Sequence, residues 1–65
     1  MKISYEKLRR LISDRGMSVY QVTGECGIAQ GITTKIIRDE NVTVFTLAKI
    51  CEYLKVEIGD VVEIK

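Results

Sequence analysis

Two short amphipathic stripes separated by a single glycine, Gly27, constrain this chain more than any other feature of it. Val19, Val22 and Cys26 recur at the spacing of one helical face, and Ile32, Ile36 and Ile37 do so again a few residues later. Ser18 stands before the first stripe with Gln21 three residues on, the pattern of a capping box in which each side chain satisfies an orphan backbone amide. Gly27 follows where a helix commonly needs a residue able to take positive φ, and Ile28 can drop into the core beside the turn. The spacing predicts a helix opening at Ser18, a tight reversal at Gly27, and a next helix ending at Arg38 before the polar Asp39, Glu40 and Asn41.

The flanks are helical as well. Tyr5, Leu8, Leu11 and Ile12 form a stripe with Ser4 as candidate N-cap and Gly16 as stop, giving a first helix over about 5–15. After a loop through Val42, Thr43 can cap a helix whose Val44, Leu47, Ile50, Cys51 and Leu54 follow the i, i+3, i+4, i+7 template. Ile58 to Val62 reads as one or two further helical turns behind Glu57. Val62, Glu63 and Ile64 alternate, as do Lys2, Ile3 and Ser4, so the termini can pair as a tiny two-stranded ribbon.

Length limits what can be built on these elements. A chain of 65 residues buries only about 60% of the surface its unfolded form exposes, which supports one small core and one domain over residues 1–65. No apolar run approaches the roughly 18 residues of a membrane span, and Glu6, Arg9 and Arg10 break any signal-peptide stretch, so a cytoplasmic protein is expected. Cys26 and Cys51 fall on apolar helical positions and read as reduced core residues, a disulfide between them being the alternative. With no histidine they are too few for a structural zinc site. There is no CxxC pair, glycine-rich phosphate loop or evident carboxylate pair, so neither an enzyme nor a bound cofactor or metal is expected.

The net charge of +1 hides an asymmetry. Residues 1–38 carry seven basic and three acidic side chains, a net of +4, whereas residues 39–65 carry three and six, a net of −3. One part of the surface can therefore approach phosphates while another stays away or meets a partner. Ordinary solvated helix faces would produce the same numbers.

Helix, glycine turn and helix within about 20 residues is the helix-turn-helix unit, whose second helix enters the major groove of DNA. The frame around it comprises Gly16-Met17-Ser18, Gly27-Ile28-Ala29-Gln30, Lys35-Ile36, Thr46-Leu47, Lys49-Ile50-Cys51 and Ile58-Gly59-Asp60-Val61. On these pieces nearly the whole chain resembles Cro and phage-repressor (XRE-like) regulators in their compact single-domain form. The resemblance implies an all-α, five-helix repressor-like domain that binds double-stranded DNA as a homodimer on a palindromic operator, a transcriptional regulator of the repressor kind. By position, Gln30, Gly31, Thr34 and Lys35 would face base edges, and Ala29 and Arg38 would sit near the backbone. Glutamine can pair bidentately with adenine and lysine can donate to guanine, each pair worth about 1–3 kcal/mol of discrimination. Arg38, with Arg9, Arg10 and Arg15 if the first helix presents them on that side, would add salt-sensitive affinity for phosphates.

The chain also departs from the family. Its members usually carry an aliphatic residue where Thr33 stands, a small one such as alanine at Thr23, and a capping serine or threonine at Ala29. Losing that cap costs about 1 kcal/mol, and Gly31 inside the helix up to about another. Two arrangements follow. Either Ile32 turns inward, rotating the helix and changing the base-facing set, or it stays outside to meet thymine methyls or a protein.

The rival function is a helix-turn-helix fold used for protein recognition, as in an antirepressor or an inhibitor of another regulator. Near-neutral charge and the apolar Val19, Tyr20 and Ile32 motivate it. For dimerisation the candidate surface is Ile58, Val61, Val62 and Ile64, unless these residues close the domain's own core.

Overall fold

Helix starts and stops fall where the cap chemistry places them. The computed structural model describes all 65 residues: β1 (Ile3–Ser4), α1 (Glu6–Asp14), α2 (Val19–Glu25), α3 (Gln30–Ile37), α4 (Val44–Leu54), a 3₁₀ turn (Ile58–Asp60) and β2 (Glu63–Ile64). Ser18 Oγ accepts the Gln21 N–H at 3.0 Å and Thr43 Oγ1 accepts the Thr46 N–H at 3.2 Å. Only half of the box expected at Ser18 forms, because the Gln21 side chain is exposed and makes no return bond. At α1 the cap shifts by one residue. Tyr5 precedes the helix, and Ser4 Oγ accepts the Glu6 N–H at 3.3 Å from outside it.

Gly16 and Gly27 both sit at φ +72°, a backbone conformation that costs any residue with a Cβ. They close matching C-terminal motifs. Gly16 N–H donates to Ser13 O and Met17 N–H to Ile12 O; Gly27 N–H donates to Gly24 O and Ile28 N–H to Thr23 O. Carbonyls that the helix ends would orphan are thereby satisfied, and the chain is aimed directly into the next element.

The helices enclose a core of Tyr5, Leu8, Ile12, Val22, Ile36, Leu47, Ile50, Cys51, Leu54 and Val61. Cys26 packs half-buried against it, and both cysteines are free thiols, as expected. Burial pushes both thiols above their ordinary range, which disfavours the reactive thiolate.

The fold differs from the expected five-helix domain at its end. Four α-helices are followed by a single 3₁₀ turn, where Glu57 and Asp60 form a reciprocal capping box. A fifth α-helix cannot extend because the next residues are committed to the ribbon. Ile3 pairs with Ile64 and Ser4 with Glu63 in antiparallel register, and Lys2 and Lys65 exchange backbone bonds of 2.8 and 2.7 Å. Val61 is fully buried and Val62 half-buried, so half of the C-terminal patch suggested for dimerisation serves the domain's own core.

Candidate nucleic-acid interface

Thr33 and Ile36, both with no exposed surface, set the orientation of α3. These positions lie three apart on one helical side, so the side bearing residues 30, 31, 34, 35 and 38 points away from the core. Gln30, Gly31, Lys35, Arg38 and Ala29 are exposed, and Thr34 is half-buried with its hydroxyl donating to Gln30 O at 3.2 Å. Of the two arrangements open to Ile32, neither holds fully: it is half-buried at the helix flank, while Thr33 takes the inward position. Ile37, expected in the buried stripe, is 40% exposed.

Thr33 can occupy that position because Thr23 faces it. Its hydroxyl donates to Thr23 Oγ1 at 2.7 Å, and the Thr23 hydroxyl donates in turn to Val19 O at 3.0 Å. No buried side-chain polar atom lacks a partner. The residues at which the chain departs from the pattern that the resemblance implies, Thr23 and Thr33, are therefore one feature, a hydrogen-bonded pair in the α2–α3 contact.

The far end of α3 is held from α1. Arg9 Nη1 donates to Ile36 O at 2.9 Å and to Asp39 Oδ1 at 2.8 Å, and Asp39 Oδ1 also accepts the Tyr5 N–H at 2.8 Å. The Arg9 guanidinium and the Tyr5 amide hold the Asp39 carboxyl below the usual carboxylate range. Asp39 adopts φ +59°, a conformation in which aspartate is among the more tolerant residues. The Tyr5 hydroxyl donates to Glu40 O at 2.7 Å and fastens the same turn again. Spacing gives no signal for this clamp, since its partners lie 27 or more positions apart.

Charge on the two helices is thus unequally available. Arg9 is engaged by Asp39 at 2.8 Å, whereas Arg10 meets Glu6 at 3.1 Å in an exposed i, i+4 bridge that leaves its guanidinium open to other contacts. Lys35 and Arg38 make no ion pair, and the Gln30 amide bonds to no protein group. Arg38 borders an open groove of about 720 Å³ of mixed charge, shared with Lys2 and Lys65 but also with Glu6, Asp39 and Glu40. Ala29 provides no side-chain cap, so the first N–H groups of α3 point outward without a side-chain acceptor. No cluster of metal-ligating side chains occurs, and no helix is long and apolar enough to cross a membrane. Of the three apolar residues that suggested a protein-binding face, only Tyr20 is exposed, at 49%.

The fold has known relatives. Residues 7–65 match the Cro/C1-type HTH DNA-binding domain. The crystal structure of the transcriptional regulator VanUg is similar, with a TM-score of 0.91 and 35% sequence identity over 95% of this chain and 83% of that one. No curated protein matches in sequence. Four helices with the glycine turn between α2 and α3, matched along almost their whole length, mean that the chain belongs to the Cro/C1-type (XRE) helix-turn-helix family, a non-enzymatic DNA-binding domain of transcriptional regulators.

Proposed function

We propose that the chain is a repressor that lays α3 in the major groove of duplex DNA and binds a palindromic operator as a homodimer. The observation that carries this reading is the single outward side of α3, on which Gln30, Gly31, Lys35 and Arg38 are exposed and unpaired while Thr33 and Ile36 anchor the other side. Gln30 and Lys35 have the donors and acceptors to read base edges, with Gly31 and Thr34 allowing close approach. Arg38 contributes a phosphate contact one turn on, and the uncapped N–H groups following Ala29 suit a phosphate oxygen at the helix start. Repression follows from occupancy of a site that polymerase would otherwise use.

Selection of bound sequences from a random duplex pool tests the proposal. The expected result is enrichment of inverted half-sites about 10 bp apart, centre to centre, with affinity falling by orders of magnitude between about 50 and 200 mM salt. Absence of binding to any duplex at low salt would overturn it. A reporter bearing the enriched site upstream of a promoter then distinguishes repression, the expected outcome, from activation.

A further inference from the structure

Val44 and Phe45, on the first turn of α4, are 72% and 71% exposed, more than any large apolar side chain except the terminal Met1. The inward side of α4 is taken by Leu47, Ile50, Cys51 and Leu54, so nothing in the fold covers these two. The Lys49 ammonium, one turn along the same helix, lies 5.1 Å from the centre of the Phe45 ring. The patch also adjoins the DNA-reading element. Thr43, the residue before Val44, lines a shallow cleft of about 280 Å³ together with Ile32 and Lys35 of α3.

We infer that Val44 and Phe45 form the contact between two copies of this chain on adjacent half-sites. The inference rests on the DNA reading proposed above and assigns the surface that makes it dimeric. Three observations favour a second copy as occupant. From Asn41 to Ala48 no residue is charged, in a chain that is 29% charged, so the surfaces that would meet about a two-fold axis carry no charge of their own, with the Lys49 ammonium of each copy beside its Phe45 ring. Lys49 at the rim can cover the Phe45 ring of either copy. Finally, the area fits a partner held nearby rather than a free one. With an aromatic side chain presenting about 200 Å², two such patches bury on the order of 500 Å², well short of the roughly 1,200 Å² of a stable free dimer. Pairing here is weak in solution and becomes effective when DNA holds both copies, which is how a patch beside α3 converts half-site binding into operator binding.

The test compares the full chain on a palindromic duplex from the selection with a duplex carrying one half-site. Phe45→Ser is expected to bind the palindrome at least about tenfold more weakly with half-site affinity unchanged, whereas Ile64→Ser, at the exposed ribbon, behaves as the parent. Val44→Glu and Val44→Lys each lose cooperativity, and an equimolar mixture regains it, because opposite charges face each other only if this residue meets its own counterpart. Far-UV circular dichroism confirms that each variant is folded. Unchanged cooperativity in Phe45→Ser, an equal loss on the half-site, loss in Ile64→Ser instead, or no rescue by the mixture would each overturn the inference. Sedimentation at millimolar concentration judges the surface without DNA. Weak self-association abolished by Phe45→Ser supports it even if no duplex is bound and the functional reading fails, and a strict monomer with and without duplex defeats it.

Discussion

Thr33 donates a 2.7 Å hydrogen bond to Thr23 across the α2–α3 contact, and the two side chains are 0% and 2% exposed. The bond continues to Val19 O, so a buried hydroxyl chain terminates on the backbone of α2. It fixes the rotation of α3 about its own axis, and with it the side that carries Gln30 and Lys35. A neutral bond of this kind contributes about 1 kcal/mol net; without it Thr23 keeps Val19 O and Thr33 is left with the longer contact to Ala29 O at 3.3 Å.

The two threonines should therefore be coupled. Thr23→Ala and Thr33→Val are each expected to destabilise by about 1–2 kcal/mol, and the double variant by less than the sum, by about 0.5–1 kcal/mol. Urea unfolding of the four proteins measures this. Strict additivity would show that the bond is not what makes the pair compatible.

Two glycines predict opposite signs. Gly27→Ala meets no neighbouring atom but must adopt φ +72°, so a loss of about 1–2 kcal/mol is expected from the backbone alone. Gly31 lies inside α3 with open space where a Cβ would stand, so Gly31→Ala should raise stability by about 0.5–1 kcal/mol. If α3 reads DNA, the same change alters operator affinity despite the firmer helix. Thermal unfolding and a binding titration on the same sample separate the two effects.

Acid should release the α1–α3 clamp. The folded Asp39 carboxyl lies below its ordinary value of 3.8, so the stability it contributes is complete above that pH and is lost as pH falls through the depressed folded value. Asp39→Asn keeps an acceptor for Tyr5 but removes the ion pair with Arg9. Because both partners are partly solvated, the expected cost at pH 7 is about 0.5–1 kcal/mol. That difference should shrink as pH falls below the ordinary carboxylate value of 3.8 and through the depressed folded value. A constant difference across the titration would mean that charge is not the source of the effect.

On the DNA side, Gln30→Ala should flatten the preference for selected over random duplex, while Arg38→Ala should weaken both alike and lower the salt slope by about one. Equal losses from Gln30→Ala on both duplexes would remove it from the base-reading set. Competition titrations at two salt concentrations provide the comparison.

Much of the architecture is legible in the chain because its causes are local. Ser18 meets Gln21, Thr43 meets Thr46, and Gly16 and Gly27 release the backbone at the ends of α1 and α2, all within a few positions. Apolar spacing then locates all four α-helices and most of the core. The exposed positions of α3 also follow from spacing, though Ile37 shows that a stripe of isoleucines does not say which of them the core will accept. Locality fails at the end of the chain. Ile58 to Val62 has helical composition, yet the backbone of residues 63–65 is claimed by the N-terminal strand, and only a 3₁₀ turn fits before it.

Helix positions, turn sites and the helix-turn-helix class thus depend on neighbours within about one helical turn, and residue order alone carries them. The inward placement of Thr33, the engagement of Arg9 by Asp39 and Ile36, and the exposure of Val44 and Phe45 belong to a different scale. Each depends on which surfaces the packed helices bring together across 10 to 30 positions or leave uncovered, and no periodicity encodes such a pairing. A polar residue such as Thr33 enters a core only when its partner is already there, and that condition is met in three dimensions, not along the chain.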